Sequence, residues 1–234
     1  MHRKINASQM GRSDLGWLKS LFHFSFADYY NPDNMRFGAL RVINDDLVLP
    51  GTGFDWHPHR DMEIISYVLN GEVTHGDIMG NENTIGRGDV QYMSAGSGLQ
   101  HKEYNFSKET TRFLQIWIMP EGRGYKPQYG DKRFTKEQRQ DQWLHIASPM
   151  AGDAPIRIHQ DANLYATELA AGKQLTLSVP EGRQAYLVLA EGEAVVNGET
   201  LSARDAMELV EEDAVITAAT DAHVVVVEMK VPGA

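Results

Sequence analysis

Tyr67-Val68-Leu69-Asn70-Gly71-Glu72 returns in the second half of the chain as Leu187-Val188-Leu189-Ala190-Glu191-Gly192-Glu193, with one extra residue before the glycine. Downstream, Gly88-Asp89-Val90-Gln91-Tyr92-Met93 returns as Arg204-Asp205-Ala206-Met207-Glu208-Leu209. Each segment joins a short β-prone apolar run to a turn residue. Two such echoes in the same order point to a duplicated β unit rather than one large barrel. Gly71 and Asp89 are 18 residues apart and Gly192 and Asp205 are 13 apart, so the first copy carries the longer hairpin, near residues 75–83.

Outward from these anchors the same texture continues. Ala39–Ile43, Leu114–Ile118, Leu175–Val179, Ala214–Thr217 and Val224–Val227 are short β-rich runs between Gly and Asn/Asp turns. Such spacing predicts an all-β protein of two antiparallel β-barrels with few short helices. The first barrel is expected over residues 1–130 and the second over 143–234. The linker falls at about 120–142, where Pro120, Gly122, Gly124, Pro127 and Gly130 interrupt the pattern and Thr135–Gln142 could form a short helix.

Composition excludes several classes. The formal net charge of −10 opposes non-specific nucleic-acid binding, which needs a basic face. The charge is uneven: residues 1–150 carry 17 Lys and Arg against 18 Asp and Glu, and residues 151–234 carry 5 against 14. With no cysteine, disulfides, thiolate metal sites and Cys nucleophiles are out. No signal-peptide pattern follows the first residues and no apolar run reaches membrane-span length, so a cytoplasmic, non-membrane protein is expected. A monomer is expected as well.

Trp56-His57-Pro58-His59-Arg60-Asp61-Met62-Glu63 contains a His-x-His pair. On a β-strand, side chains two apart share a face, so both imidazoles can meet one ion. Pro58 fits an edge or bulged strand, where a missing N–H is tolerated. Farther on, His101 and Glu103 in Leu99-Gln100-His101-Lys102-Glu103 repeat the spacing. Two strands each offering a ligand pair predict a metal centre. Glu63 shares parity with His57 and His59, so spacing leaves both it and Glu103 open as the carboxylate. Phe24, Phe26, Phe54, Tyr92 and Met93 either wall a slot for a flat ligand or pack the core. Of the remaining histidines, His75 alone lies near the barrel mouth by hairpin position. Offsets from the repeat set Ser178, Pro180, Thr217 and Ala219 opposite the four ligand positions, so no second centre is expected.

Gly51, five residues, His57-x-His59, three residues, Glu63 resembles the first cupin motif, and Gly98-x-x-His101-x-x-x-Asn105 resembles the end of the second. With Phe24-Ser25-Phe26-Ala27, Leu40-Arg41-Val42-Ile43-Asn44-Asp45-Asp46, Met93-Ser94-Ala95-Gly96-Ser97-Gly98 and Gln115-Ile116-Trp117-Ile118-Met119-Pro120, the chain resembles the pirin family. The match is dense over residues 14–120 and thin after about 150. It implies a bicupin (two double-stranded β-helix, or jelly-roll, barrels) with one mononuclear divalent metal in the N-terminal barrel. The implied ligands are His57, His59, His101 and Glu103. The ion is usually iron, as Fe(II); the donor set also suits Zn, Mn, Co, Ni or Cu. One departure stands at Ile78, where similar proteins tend to carry Ser, which weakens any hydroxyl-dependent contact there.

The resemblance further implies a flavonol (quercetin) 2,3-dioxygenase acting on a flavonol-like aromatic and O2, with Glu103 taking the 3-hydroxyl proton and carbon monoxide released. The competing expectation is a non-enzymatic metal- or redox-sensing regulator, whose acidic C-terminal half would suit a basic protein partner. A sugar-phosphate isomerase would need a basic cluster, and none stands out.

Overall fold

The structure, a computed structural model, describes residues 1–233. Its strands are β1 (His2–Ile5), β2 (Gly11–Asp14), β3 (Leu18–Phe22), β4 (Leu40–Val48), β5 (Thr52–His59), β6 (Glu63–Asn70), β7 (Val73–Asp77), β8 (Glu82–Ile85), β9 (Val90–Ser94), β10 (Leu99–Asn105) and β11 (Thr111–Ile118). They continue with β12 (Gln128–Lys132), β13 (Leu144–Pro149), β14 (Ile156–Ile158), β15 (Ala162–Leu169), β16 (Gln174–Leu177), β17 (Arg183–Glu191), β18 (Glu193–Val196), β19 (Glu199–Ser202), β20 (Ala206–Val210), β21 (Ala214–Ala218) and β22 (Ala222–Lys230).

The chain forms two compact units. In the unit Gly11–Phe134 with Ile158–Gln160, a seven-stranded sheet in the order β12-β9-β6-β11-β4-β3-β2 accompanies a four-stranded sheet, β5-β10-β7-β8. Leu18, Val48, Val68 and Phe113 of the larger sheet pack with Val73 and Ile85 of the smaller, so the two inner faces share one core. The other unit repeats the plan with β1-β20-β17-β22-β15-β13-β14 and β16-β21-β18-β19. Every paired ladder within these sheets for which a register is given is antiparallel. The hydrogen-bond ladders make two separate sheets per unit, not the closed barrels expected from sequence.

Three expectations are corrected. Among the described residues there is no α-helix, only a 3₁₀ turn at Ala7–Gln9. Residues 135–142 form turns instead. Arg139 is buried there against Glu168, and Asp141 takes φ 57°, which a continuing helix cannot hold. Residues 1–10 do not belong with the first unit, because β1 extends the second unit's sheet beside β20. The Arg3 guanidinium forks onto Glu208 through two 2.8 Å bonds, and the N-terminal ammonium meets Glu212 at 2.7 Å. The third concerns the repeat offsets. On β21 the buried side chains are Ala214, Ile216 and Ala218, so Thr217 points outward and the offset is wrong by one residue. Inside this unit, Leu177, Ile216 and Ala218 join an apolar core where the first unit carries histidines.

Candidate metal centre

β10 alternates as a half-buried strand should: Leu99, His101, Glu103 and Asn105 point inward, while Gln100, Lys102 and Tyr104 are less buried. His101 lies directly opposite His57 on β5, the edge strand of its sheet, as Pro58 requires. Between His101 and Glu103 the register slips, with Glu103 opposite Phe54, so β5 holds one extra residue at Asp55–Trp56. The slip has two effects. Phe54 turns inward to line the cavity, and Asp55, without a ladder partner, offers its carbonyl to His57 Nδ1 at 2.7 Å. A carbonyl only accepts, so His57 carries its proton on Nδ1 and leaves Nε2 with a free lone pair.

His57, His59 and His101 bring one ligand atom each to within 4.8 Å of one another, close enough to hold one metal ion. Ring centroids are 4.4 Å apart for His57–His101, 4.8 Å for His57–His59 and 5.0 Å for His59–His101. Burial, then the neighbouring histidines, push His59 and His101 down to about 3. Both imidazoles are therefore uncharged at neutral pH, the form that ligates. His101 Nε2 is buried without a hydrogen-bond partner. An orphaned buried lone pair is costly unless something electrophilic fills it, which fits a metal.

A relay stands behind His101. Asp77 Oδ2 lies 3.1 Å from His75 Nε2, so His75 donates there and keeps a lone pair on Nδ1. His75 Nδ1 faces His101 Nδ1 at 3.4 Å, a long contact that sets the His101 proton on Nδ1 and its lone pair on Nε2. Tyr129 stacks on the His75 ring at 4.2 Å. We expect Asp77→Asn to weaken metal affinity by about 10–100-fold with stoichiometry still at one, the usual size for removing a group that orients a ligand. Competition with a chromogenic chelator measures it; unchanged affinity would refute the relay.

Glu103 lies outside the close histidine group but lines the same cavity. It is buried and takes hydrogen bonds from Ser66 (2.9 Å), Gln115 (2.7 Å) and Gln91. All three donors are neutral, and among the described residues no Lys or Arg pairs with it. A buried carboxylate without a counter-cation is costly and fits a site for a positive ion. Glu63 is placed elsewhere. Asp61, with φ 48°, breaks the strand between His59 and Glu63, so the shared parity does not carry across. Glu63 instead accepts from Tyr92 (2.6 Å), Ser94 (2.7 Å) and the His159 backbone N–H (3.2 Å).

The cavity beside the histidines measures about 290 Å³. Phe22, Phe26, Phe54, Trp117, Leu15 and Leu18 form its apolar walls. Phe26 and Phe54 are thus wall residues. Tyr92 is tied to Glu63, Met93 packs with Ile64 and Leu99, and Phe24 is a core side chain. Sequence reading missed Trp117 and the glutamines; their inward parity on β9 and β11 was the available signal. Ile78 is exposed, on a shallow depression with Pro58 and Arg60.

Comparison with known proteins agrees with this geometry. Residues 4–118 match the family model described as pirin, and residues 145–229 match the quercetinase C-terminal cupin domain. A pirin-like protein of Caulobacter vibrioides is 48% identical over 222 residues, covering 94% of this chain and 96% of the relative. The Escherichia coli K12 protein named quercetin 2,3-dioxygenase is 41% identical over 225 residues, covering 95% and 96%. The crystal structure of YhhW from Escherichia coli superposes with a TM-score of 0.92 at 40% identity, covering 98% of this chain and 97% of that one. A second, of bacterial pirin YhhW with nickel(II), gives 0.91 at 39% identity, covering 98% and 99%. By sequence along nearly its whole length and by fold, this chain belongs to the pirin family.

Proposed function

We propose that the chain is a metal-dependent flavonol 2,3-dioxygenase whose divalent ion is held by His57, His59, His101 and Glu103. The observation that carries this reading is the close group of three histidines, His57, His59 and His101, beside an aromatic-lined cavity that the buried Glu103 also lines. Names of the relatives support the substrate class, and the nickel complex of YhhW supports a divalent ion. The residues fit such an ion: an orphaned His101 Nε2, a His57 Nε2 freed by its tautomer, and a Glu103 charge with no cation. When bound, the ion would supply Lewis acidity beside the ligand.

The chain's own groups do the rest. Phe22, Phe26, Phe54 and Trp117 hold a flat ring system and keep water off it. A Glu103 carboxylate oxygen accepts the proton of the flavonol 3-hydroxyl, which is general-base work. The donors Ser66, Gln91 and Gln115 hold that carboxylate in place. Overall, both atoms of O2 enter the ring-opened product and one ring carbon leaves as carbon monoxide. The second unit serves as a structural partner on this reading.

The test is aerobic incubation with quercetin, measuring carbon monoxide. Turnover is expected only with metal and O2 together. Anaerobic turnover, or turnover unaffected by a chelator, would point to another reaction. No carbon monoxide from the metal-loaded protein would favour the regulator reading.

A further inference from the structure

The cavity has a polar wall that the chemistry above leaves unused. β3 and β4 bring Ser20, Asn44 and Asp46 to its lining from the seven-stranded sheet, while His57 and His59 come from the four-stranded one. Asn44 and Asp46 are two apart on one strand, so they share the inward face. Both are buried, at 4% and 3% exposure. Asn44 Oδ1 has no hydrogen-bond partner, and neither has Trp117 Nε1 on the same cavity. A buried polar atom left unpaired is costly. One acceptor and one donor orphaned around one cavity call for a ligand that offers both.

Asp46 adds a third group. Its Oδ1 takes the Ser20 hydroxyl at 2.5 Å. Burial pushes Asp46 up to about 7, with the Ser20 bond opposing and the Asp45 and Glu103 charges adding to the rise. Near neutrality the carboxyl therefore donates as readily as it accepts. No Lys or Arg lines the cavity, so a carboxylate or phosphate on the ligand would find no counter-charge.

We infer that Asn44, Asp46 and Trp117 form a hydroxyl-reading subsite that selects a neutral, polyhydroxylated aromatic. The inference rests on the site being a flavonol pocket and adds which part of the ligand is recognised, by what. Specificity here comes from hydrogen bonds that an analogue lacking the hydroxyls leaves unmade.

The test uses metal-free full-length protein, without turnover. Tryptophan fluorescence follows titration with quercetin and with 3-hydroxyflavone, which keeps the skeleton and the 3-hydroxyl but lacks the others. Wild type is expected to bind quercetin at least about 10-fold tighter. Asn44→Leu and Asp46→Leu should each cut that preference by about 3–10-fold, leaving 3-hydroxyflavone affinity within about 2-fold. Asp46→Asn, which keeps a hydrogen-bonding edge, should retain most of it. No preference in wild type, or the same preference in the folded Leu variants, overturns the subsite; if Asp46→Leu does not fold, Asn44→Leu decides. A protein that consumes quercetin yet binds both flavonols alike refutes the subsite alone. One that discriminates between them without releasing carbon monoxide refutes the dioxygenase reading alone.

Discussion

Glu103→Gln is expected to keep bound metal and to lose quercetin turnover by about 10²–10⁴-fold, the range for removing a general base. Glutamine keeps the shape and one oxygen for ligation but is a very poor base. The surroundings sharpen the expectation. Glu103 accepts only from donors, namely Ser66, Gln91 and Gln115. A glutamine there turns its NH2 toward one of them, so either the Ser66 hydroxyl must turn to accept or Gln91 or Gln115 must flip its amide. The variant should therefore also lose about 1–3 kcal/mol of stability, read by urea denaturation. Glu63→Gln is the control. Its carboxylate serves Tyr92, Ser94 and the His159 N–H, so stability should fall while metal content holds. Normal turnover in Glu103→Gln with a dead Glu63→Gln would reverse the two roles.

The double variant His57→Ala/His59→Ala should purify without metal. Two of the four proposed ligands vanish, including the one whose tautomer Asp55 fixes. Removing a group that merely orients a ligand costs about 10–100-fold, so deleting two ligands should cost far more than ~10²-fold. Elemental analysis after dialysis against equimolar metal reads the result. Far-ultraviolet circular dichroism should be unchanged, because β5 is an edge strand and both side chains are only partly buried. A full complement of metal in a folded variant would sink the site assignment.

The three clustered histidines were legible because side-chain direction on a strand has period two and needs no knowledge of what lies across the sheet, whereas spacing left Glu103 and Glu63 both open and only the family resemblance chose Glu103. His57 with His59, and His101 with Glu103, are each such a pair, and the structure brings three of the four together in one group. The same rule failed where backbone continuity failed. Asp61 at positive φ resets the phase, so Glu63 faces Tyr92 and Ser94 rather than the histidines. A single residue of slip likewise moved Thr217 to the outer face of β21. Asn44 and Asp46 gave no signal beyond ordinary strand polarity, since their meaning comes from the cavity they face. His2–Ile5 was unreadable for a different reason. His-Arg-Lys-Ile has little strand character, and it pairs only because β20 offers an open edge with Glu208 and, beyond it, Glu212.

That pairing sets an order of events during synthesis. Arg3 and Glu208 lie 205 residues apart in the chain. At about 5–20 residues per second, the first strand waits roughly 10–40 s after emerging before its partner leaves the ribosome. Gly11–Phe134 lacks only the three residues Ile158–Gln160 and can condense in that interval. Residues 1–10 have no strand partner in that unit, and β1 stays unpaired until β20 is available. A strand made early is thus paired late, and its place in the sheet is open until β20 has emerged.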